Sequence, residues 1–547
     1  MADFGEILRT IGDFGLFQKL ILFGLCFPNL VLPFHLASLI FIQSDPERHC
    51  NTDWILRAGS NLSSEEQLNL TVPRQEDGTF SRCLMFTPVD WDIDTIREHG
   101  LNQTTDCQNG WVYSNIVYEA TIVTDFDLVC GKANVVGLAQ TVFMAGILLG
   151  SLLFGPFAES FGRQRATQIP MIIMLIFTVT TGLSPNFYLY MASQFLVGVA
   201  YGGFRINCIV LATEWVGVTK RSYASCLSQT FGGVGQCTLA GLIFFIRDWR
   251  LAQFVMVAPI AVVAVYIWFI PESARWLLDQ GKTEEAKKLI LRVAAINKRT
   301  VPDTILEKIT LFQIAEKKVV QKGGILILIR SPVLRKYFLT ITLAWISLNL
   351  SYYCLSFNVG NFGLDIFLTQ LMFGLTEIPG HILCIFILEY LGRKISLMST
   401  LLTGGFTCFL TLAVPQDNAV AITALATAGR FFMNNAGSIC NVYVQELFPT
   451  SVRQTATGLG SIAIRIAGML SPMLNILATY HWSIPTIVFS SLSFVGGALV
   501  FLLPETRRTE LPDSTDEAEG KRNVTIAMKI EKGCKVDDYD YEKSTKL

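Results

Sequence analysis

The sequence predicts an all-α membrane protein with twelve transmembrane helices in two six-helix pseudo-repeats. Three observations carry that prediction. The 547 residues are 51% apolar and only 16% charged, with a mean hydropathy of +0.45, a balance typical of multi-span membrane proteins. Apolar runs of bilayer-spanning length recur about twelve times along the chain. Short polar signatures between those runs return at nearly one offset, so the chain reads as two copies of one unit.

The first six runs lie at roughly 18–42, 135–157, 167–184, 187–213, 223–246 and 250–270. The second six lie at about 336–357, 364–388, 395–414, 418–445, 455–479 and 482–503. They divide the chain into an N-terminus (1–17), a first span (18–43), a long loop (44–134), the rest of the first half (135–270), a linker (271–335), the second half (336–503) and a tail (504–547). An even number of spans puts both termini on one side. The first run is long and lacks a small-residue cleavage pattern, so it is expected to be a span rather than a cleaved signal peptide.

Charge and sequons orient the chain. Loop 44–134 holds 6 Lys/Arg against 15 Asp/Glu, whereas 271–336 holds 14 against 7. Basic residues concentrate on the cytosolic side of membrane proteins, so the termini and linker are expected inside. The first loop carries the sequons at Asn61, Asn69 and Asn102, which suit a glycosylated outer surface. Asn523 begins another sequon in the tail and is expected to stay unmodified in the cytosol. Cys50, Cys83, Cys107 and Cys130 also fall in the loop, where an oxidising compartment favours two disulfides. Three pairings are open.

The linker reads as short amphipathic helices that tie the halves together. Thr283–Arg292 is one, with Thr283 as N-cap, glutamates early and basic residues later. The tail is polar and expected to be disordered. It ends in Thr545-Lys-Leu547, the pattern of a PDZ ligand that adds a strand to a domain edge.

The duplication is visible in three signatures. Gly162-Arg163-Gln164-Arg165 returns as Gly392-Arg393-Lys394, an offset of 230. Glu214 and Arg221 return as Glu446 and Arg453, an offset of 232. Pro271-Glu272-Ser-Ala-Arg275 returns as Pro504-Glu505-Thr-Arg507, an offset of 233. Parallel repeats of this kind place a substrate site between the halves, near the midplane. All six signatures fall at cytosolic span ends. Their arginines and glutamates are expected to form inter-helix ion pairs that hold the inner face shut and break as the halves rock. The competing reading makes them interface anchors that only set orientation.

Four charges lie inside spans. Arg465 is the only formally charged residue between Arg453 and Glu505. It lies about 15 Å deep, near the middle of a hydrocarbon core roughly 30 Å thick. An arginine there costs at least about 2.5–3.5 kcal/mol, so it is expected to face a partner or a cavity rather than lipid. Arg205 lies nine residues before Glu214, Glu377 twelve residues from both Asp365 and Glu389, and Arg430 sixteen before Glu446. Glu377 is expected to neutralise one arginine, leaving a positive centre suited to an organic anion such as a carboxylate. Arg205 has two open readings, a second substrate clamp or the partner of Glu377. Arg430 also has two, an outer-interface residue or one paired within its half.

These motifs resemble those of the major facilitator fold, and Pro271-Glu-Ser-Ala-Arg-Trp-Leu277 resembles the signature shared by sugar porters and organic ion transporters. The long cysteine- and sequon-bearing loop after the first span is similar to that of solute carrier family 22. The likeness covers residues 1–505. Ile11-Gly-Asp-Phe-Gly15, Thr141-Val-Phe-Met-Ala-Gly146 and Gly360-Asn-Phe-Gly-Leu-Asp365 are most similar to the organic anion branch that carries urate and nicotinate.

The resemblance implies roles residue by residue. Arg465, seven residues before Pro472, matches the arginine of organic anion transporters, where organic cation relatives carry aspartate. Its planar fork offers a carboxylate two parallel charge-assisted bonds. Tyr352 and Tyr353 match the family's tyrosine pair, able to stack on a flat ring and donate a hydroxyl. His381 stands where the family commonly has Lys or Arg, so its charge there is only partial near neutral pH. Arg205 is a departure, and so are Gly437 and Asn441, which stand where aromatics are frequent. Gln229 and Phe231 are further lining candidates by polarity and position.

The expected function is a secondary-active plasma-membrane transporter of small organic anions, working by anion exchange and alternating access. Nicotinate, urate or related aromatic anions would be carried against a counter-anion such as lactate. No ATP-binding, nucleophile or metal-ligand pattern is present, so neither an enzyme nor a cofactor is expected, and nor is a nucleic-acid partner. The expected partners are the anions, the lipid bilayer and a PDZ scaffold. An organic cation or carnitine carrier, with Glu377 as cation site, is the rival within the class. A non-transporting receptor or scaffold is the rival outside it.

Overall fold

The computed structural model describes residues 4–506 apart from 13, 76–77, 217–220, 308–324, 359–361 and 449. It leaves undescribed the side chains of 4, 5, 213, 221–226, 279, 325–327, 385, 389, 450, 451, 453 and 454. Arg507, Asn523 and the Thr545–Leu547 ending therefore lie outside the described residues, as do the side chains of Arg221 and Arg453.

Among the described residues, twelve long helices form the body. In the first half they are Leu16–Ile42 (span 1), Asn134–Phe161 (span 2), Arg163–Gly182 (span 3), Phe187–Trp215 (span 4), Arg221–Phe245 (span 5) and Trp249–Tyr266 (span 6). In the second they are Pro332–Phe357 (span 7), Ile366–Leu391 (span 8), Arg393–Leu410 (span 9), Ala419–Leu447 (span 10), Thr450–Ile476 (span 11) and Ile484–Leu499 (span 12). Among the described residues, nine are long and apolar enough by composition alone to cross a membrane. Spans 5, 9 and 10 fall short because their Gln, Ser, Thr, Asn and Gly residues, with Arg393 and Lys394 at the start of span 9 and Arg430 inside span 10, lower their mean hydropathy. Prolines lie inside spans 1, 2, 3, 6, 8 and 11, as membrane helices tolerate where surrounding protein can satisfy the freed backbone groups.

The two halves repeat each other in three dimensions. Span 3 packs on spans 4 and 6 as span 9 packs on spans 10 and 12, and span 1 packs on span 5 as span 7 packs on span 11. Spans 2 and 4 cross through paired small-residue faces. A Cβ on Gly146 would sit 2.3 Å from the Phe195 carbonyl oxygen, and one on Gly150 2.0 Å from that of Val199. On the facing helix, a Cβ on Gly198 or Gly202 would sit 2.4 or 2.2 Å from the carbonyl oxygen of Phe143 or Ile147. Without a hydrophobic drive in lipid, such close backbone approach supplies the packing energy.

One face of the body carries the loop between spans 1 and 2. There the strands Arg48–Cys50 and Trp111–Tyr113 pair, as do Leu84–Phe86 and Thr104–Asp106. The disulfides are Cys50–Cys107 and Cys83–Cys130, one of the three pairings open to sequence. Asn61, Asn69 and Asn102 are all exposed on this loop. We call this the disulfide face.

The opposite, motif face holds the repeated signatures, which form two matching brackets. Gly162 and Gly392 start spans 3 and 9 with φ of 106° and 85°, values an L side chain rarely adopts. Glu272 accepts the backbone N–H groups of Arg163 and Gln164 at 2.9 and 3.1 Å, and Glu505 those of Arg393 and Lys394 at 2.9 and 3.1 Å. Each carboxylate thus satisfies the free donors of a helix start and meets the positive end of its dipole. Burial raises the Glu272 carboxyl above its ordinary range, against the lowering effect of those N–H donors. Arg163 pairs with Glu214 at 3.4 Å and Arg393 with Glu446 at 2.8 Å. These pairs each join helices within one half. Lys394 also lies over the Phe501 ring at 4.5 Å, while Arg165 and Arg275 are exposed.

A linker helix, Thr283–Ile296, lies beside the short helix Phe4–Ile11 at the same face. Thr283 is its first helical residue and Lys282 holds the cap position, so the threonine does not cap as the sequence suggested. Asn297 ties the region to span 1, accepting from Phe17 N and donating to Ile11 O and Gln18 Oε1 at 2.8–2.9 Å.

Candidate functional site

Between the halves the spans bring together three polar clusters. The first is cationic. Tyr201 and Arg205, four residues apart, share one face of span 4, and Arg205 Nη1 donates to the Tyr201 hydroxyl at 3.1 Å. Span 11 supplies Arg465 from the other half, within electrostatic reach of Arg205, Tyr201 and Tyr353. Gly468, one turn past Arg465, lets span 11 approach. A Cβ there would sit 3.2 Å from the Tyr353 ring and 3.5 Å from Met144 Sδ of span 2. Tyr353 stands edge-on to Tyr352 with centroids 5.5 Å apart and stacks on Phe357 at 6.1 Å. Among the described residues no carboxylate pairs with Arg205 or Arg465, and Arg465 Nε is buried without a hydrogen-bond partner. The result is two arginines, one from each half, among three tyrosines.

The second cluster is closed on itself. Arg430 of span 10 and Glu377 of span 8 form an ion pair at 2.8 Å, with side chains only 3% and 7% exposed. The Tyr352 hydroxyl accepts from Arg430 at 2.8 Å and donates to Glu377 at 2.9 Å. Arg430 also donates to Ser356 Oγ at 2.9 Å and lies 4.5 Å from the Tyr352 and Phe373 rings. Gln236 of span 5 joins from the other half. Its amide donates to both Glu377 oxygens at 3.2 and 3.3 Å and accepts from Arg430 at 3.1 Å. Of the readings left open by sequence, the structure therefore pairs Glu377 with Arg430 rather than Arg205, and Arg430 lies within its own half.

The third cluster lies one turn further along span 8. His381 is buried between Asn434 and Ser438 of span 10, 3.3 Å from each. Ser438 donates to Gln229 of span 5 at 3.0 Å, a second link between the halves. Phe231 packs edge-on to Phe23 of span 1 at 6.0 Å. Asn441, one turn beyond Ser438, is exposed.

Gln236, Tyr201, Ser356 and Ser438 were not singled out in the sequence. One signal was available, since Gln229 and Gln236 are seven residues apart, hence two turns along one face of an otherwise small and apolar helix. No group of three or more His, Cys, Asp or Glu able to hold a metal occurs among the described residues.

Two six-helix halves enclosing a polar centre define a major facilitator transporter, a membrane carrier and not an enzyme. Comparison with known proteins agrees. The solved structure of the proton:xylose symporter XylE bound to 6-bromo-6-deoxy-D-glucose superposes with a TM-score of 0.59 at 15% identity, covering 92% of this chain and 99% of that one. An inward-open structure of XylE from E. coli gives a TM-score of 0.56 at 17% identity, over 71% and 92% of the two chains. These likenesses speak for the fold alone. Residues 91–515 match the family described as "Sugar (and other) transporter". Solute carrier family 22 member 13 of Homo sapiens is 39% identical over 95% of this chain and 94% of its own length. Solute carrier family 22 member 14 of Homo sapiens is 32% identical over 96% and 90%. Member 6-B of Xenopus laevis is 32% identical over 96% and 97%. The chain belongs to solute carrier family 22.

Proposed function

We propose that this chain exchanges small organic anions across the plasma membrane by alternating access, taking monocarboxylates such as nicotinate, or urate and related aromatic anions. The observation that carries the reading is the pair Arg205 and Arg465. Glu377 is committed to Arg430, so these two arginines keep their charge without an acidic partner among the described residues. A planar anion between them gains charge-assisted bonds from both forks, and the tyrosines offer ring faces and hydroxyls.

The same geometry favours exchange over one-way flux. The arginines come from opposite halves, so closing the halves around an empty site brings like charges together in a low dielectric. An anion between them offsets that repulsion, which lets the loaded carrier cycle while the empty one stalls.

In this account the disulfide face is extracellular, its three exposed asparagines carry glycans, and both termini are cytosolic. Apical sorting through a PDZ scaffold at Thr545–Leu547 belongs to the same proposal. The organic cation reading needs Glu377 as a free carboxylate, and its bonds to Arg430, Tyr352 and Gln236 count against it.

The test is uptake of radiolabelled nicotinate and urate into cells displaying the chain, with and without internal lactate. Saturable uptake that rises with preloading is expected. Uptake of a quaternary amine with neither anion transported would overturn the proposal.

A further inference from the structure

The seam between spans 5 and 8 is closed at the disulfide face. Phe367, at the start of span 8, stacks on Phe41 of span 1 with centroids 5.5 Å apart and a 10° tilt, and meets Phe244 of span 5 edge-on at 5.7 Å. Deeper along the seam the backbones touch closely. A Cβ on Gly374 would lie 2.6 Å from Cys237 Sγ and 2.9 Å from Cys237 N, and one on Gly233 3.4 Å from Glu377 Cβ. Between Cys237 and Gly233, Gln236 reaches out of the first half into the Arg430–Glu377 pair of the second.

We infer that Gln236 is the pin of this seam: it joins span 5 to the buried ion pair while the disulfide face is closed, and must withdraw for that face to open. Its amide suits the task because one group both donates to the carboxylate and accepts from the guanidinium. A carboxylate or an amine could make only one of those contacts. The bonds are made to charged groups, which are the stronger kind, yet none leaves a net charge behind when it breaks. Glu377 and Arg430 still hold each other, so the second half stays intact as span 5 departs. The pin also reaches toward the substrate residues. Tyr352, held by the same Arg430 and Glu377, stands edge-on to Tyr353 beside Arg465. Opening the seam therefore loosens one wall of the anion site, and occupying that site firms the seam.

Cys237 is a built-in reporter. It is half-exposed and lines a cavity of about 380 Å³ with Phe244, Asp365, Phe367 and Leu371. Among the described residues, Cys26, Cys208, Cys354, Cys384, Cys408 and Cys440 are buried and the four loop cysteines are in disulfides, while the side chains of Cys226 and Cys534 lie outside the described residues.

The inference rests on the proposed orientation, with the disulfide face outside, but not on the identity of the substrate, because its readout needs none. Intact cells displaying wild type or Gln236→Leu are treated with a membrane-impermeant maleimide, with Cys237→Ser as blank. Loss of the amide is expected to speed Cys237 labelling by on the order of tenfold, the scale set by hydrogen bonds to charged groups. Gln236→Asn, too short to reach the pair, should behave alike if the leucine variant fails to reach the surface. Equal labelling rates in surface-displayed wild type and variant would overturn the inference. Faster labelling with no anion uptake by wild type would keep it and sink the anion proposal instead.

Discussion

Replacing Glu377 with glutamine separates the two uses a buried carboxylate can have in this protein. The substitution keeps shape and one oxygen acceptor, so Tyr352 and Gln236 retain most of their hydrogen bonds. It removes the charge that faces Arg430 at 2.8 Å, in a place where that arginine is only 3% exposed. Ser356, Tyr352, Gln236 and the Phe373 carbonyl would still solvate the guanidinium, but they do not neutralise it. Breaking a buried pair from one side costs about 3–5 kcal/mol because a bare charge stays behind. The retained hydrogen bonds place this case at about 3 kcal/mol. Replacing both partners, as Glu377→Gln with Arg430→Gln, removes both desolvation penalties and should recover all but about 1 kcal/mol. The assay is thermal denaturation of the detergent-solubilised protein, followed by size-exclusion chromatography, for the two single variants and the double. A single variant as stable as wild type would refute the pairing argument, and so would a double variant less stable than either single.

Two further outcomes follow from the site and the motif brackets. Arg205→Gln should let labelled anion leave preloaded cells without an external counter-anion, bringing the trans-stimulation ratio close to one, while Arg205→Lys keeps exchange coupled. An unchanged ratio in Arg205→Gln would show that the arginine plays no part in coupling. Gly392→Ala should destabilise the protein by about 1–3 kcal/mol, because an alanine, unlike the glycine, is strained at that positive φ. Its Cβ would also lie 2.7 Å from Glu505 Oε2, whereas Gly241→Ala meets nothing within 4 Å and serves as the neutral control in the same melt.

Much of this architecture was legible in the sequence because lipid imposes simple rules. Arg465 stood out as a lone charge in an apolar run, and the doubled Gly-Arg and Pro-Glu signatures revealed the two halves before any helix was placed. The structure shows why those signatures recur together, since each glutamate binds the helix start that its partner Gly-Arg creates. Other features needed the third dimension. Glu377 and Arg430 are 53 residues apart on different helices, and whether Glu377 meets Arg430 or Arg205 depends on helix rotation, which apolar runs do not encode. Gln236 looked like one more polar residue in a small-residue helix. The disulfide pairing, Cys50–Cys107 and Cys83–Cys130, depended on the fold of the loop, which cysteine spacing alone does not encode. Asn441 is exposed one turn beyond Ser438, and Gln229 meets the second half through Ser438.

The anion account stands most directly on Arg465. The deciding measurement is uptake of radiolabelled nicotinate into lactate-preloaded cells by Arg465→Asp against wild type, at matched surface amounts. The account predicts saturable uptake by wild type and none above background by the variant. Nicotinate uptake by Arg465→Asp at the wild-type rate would contradict it.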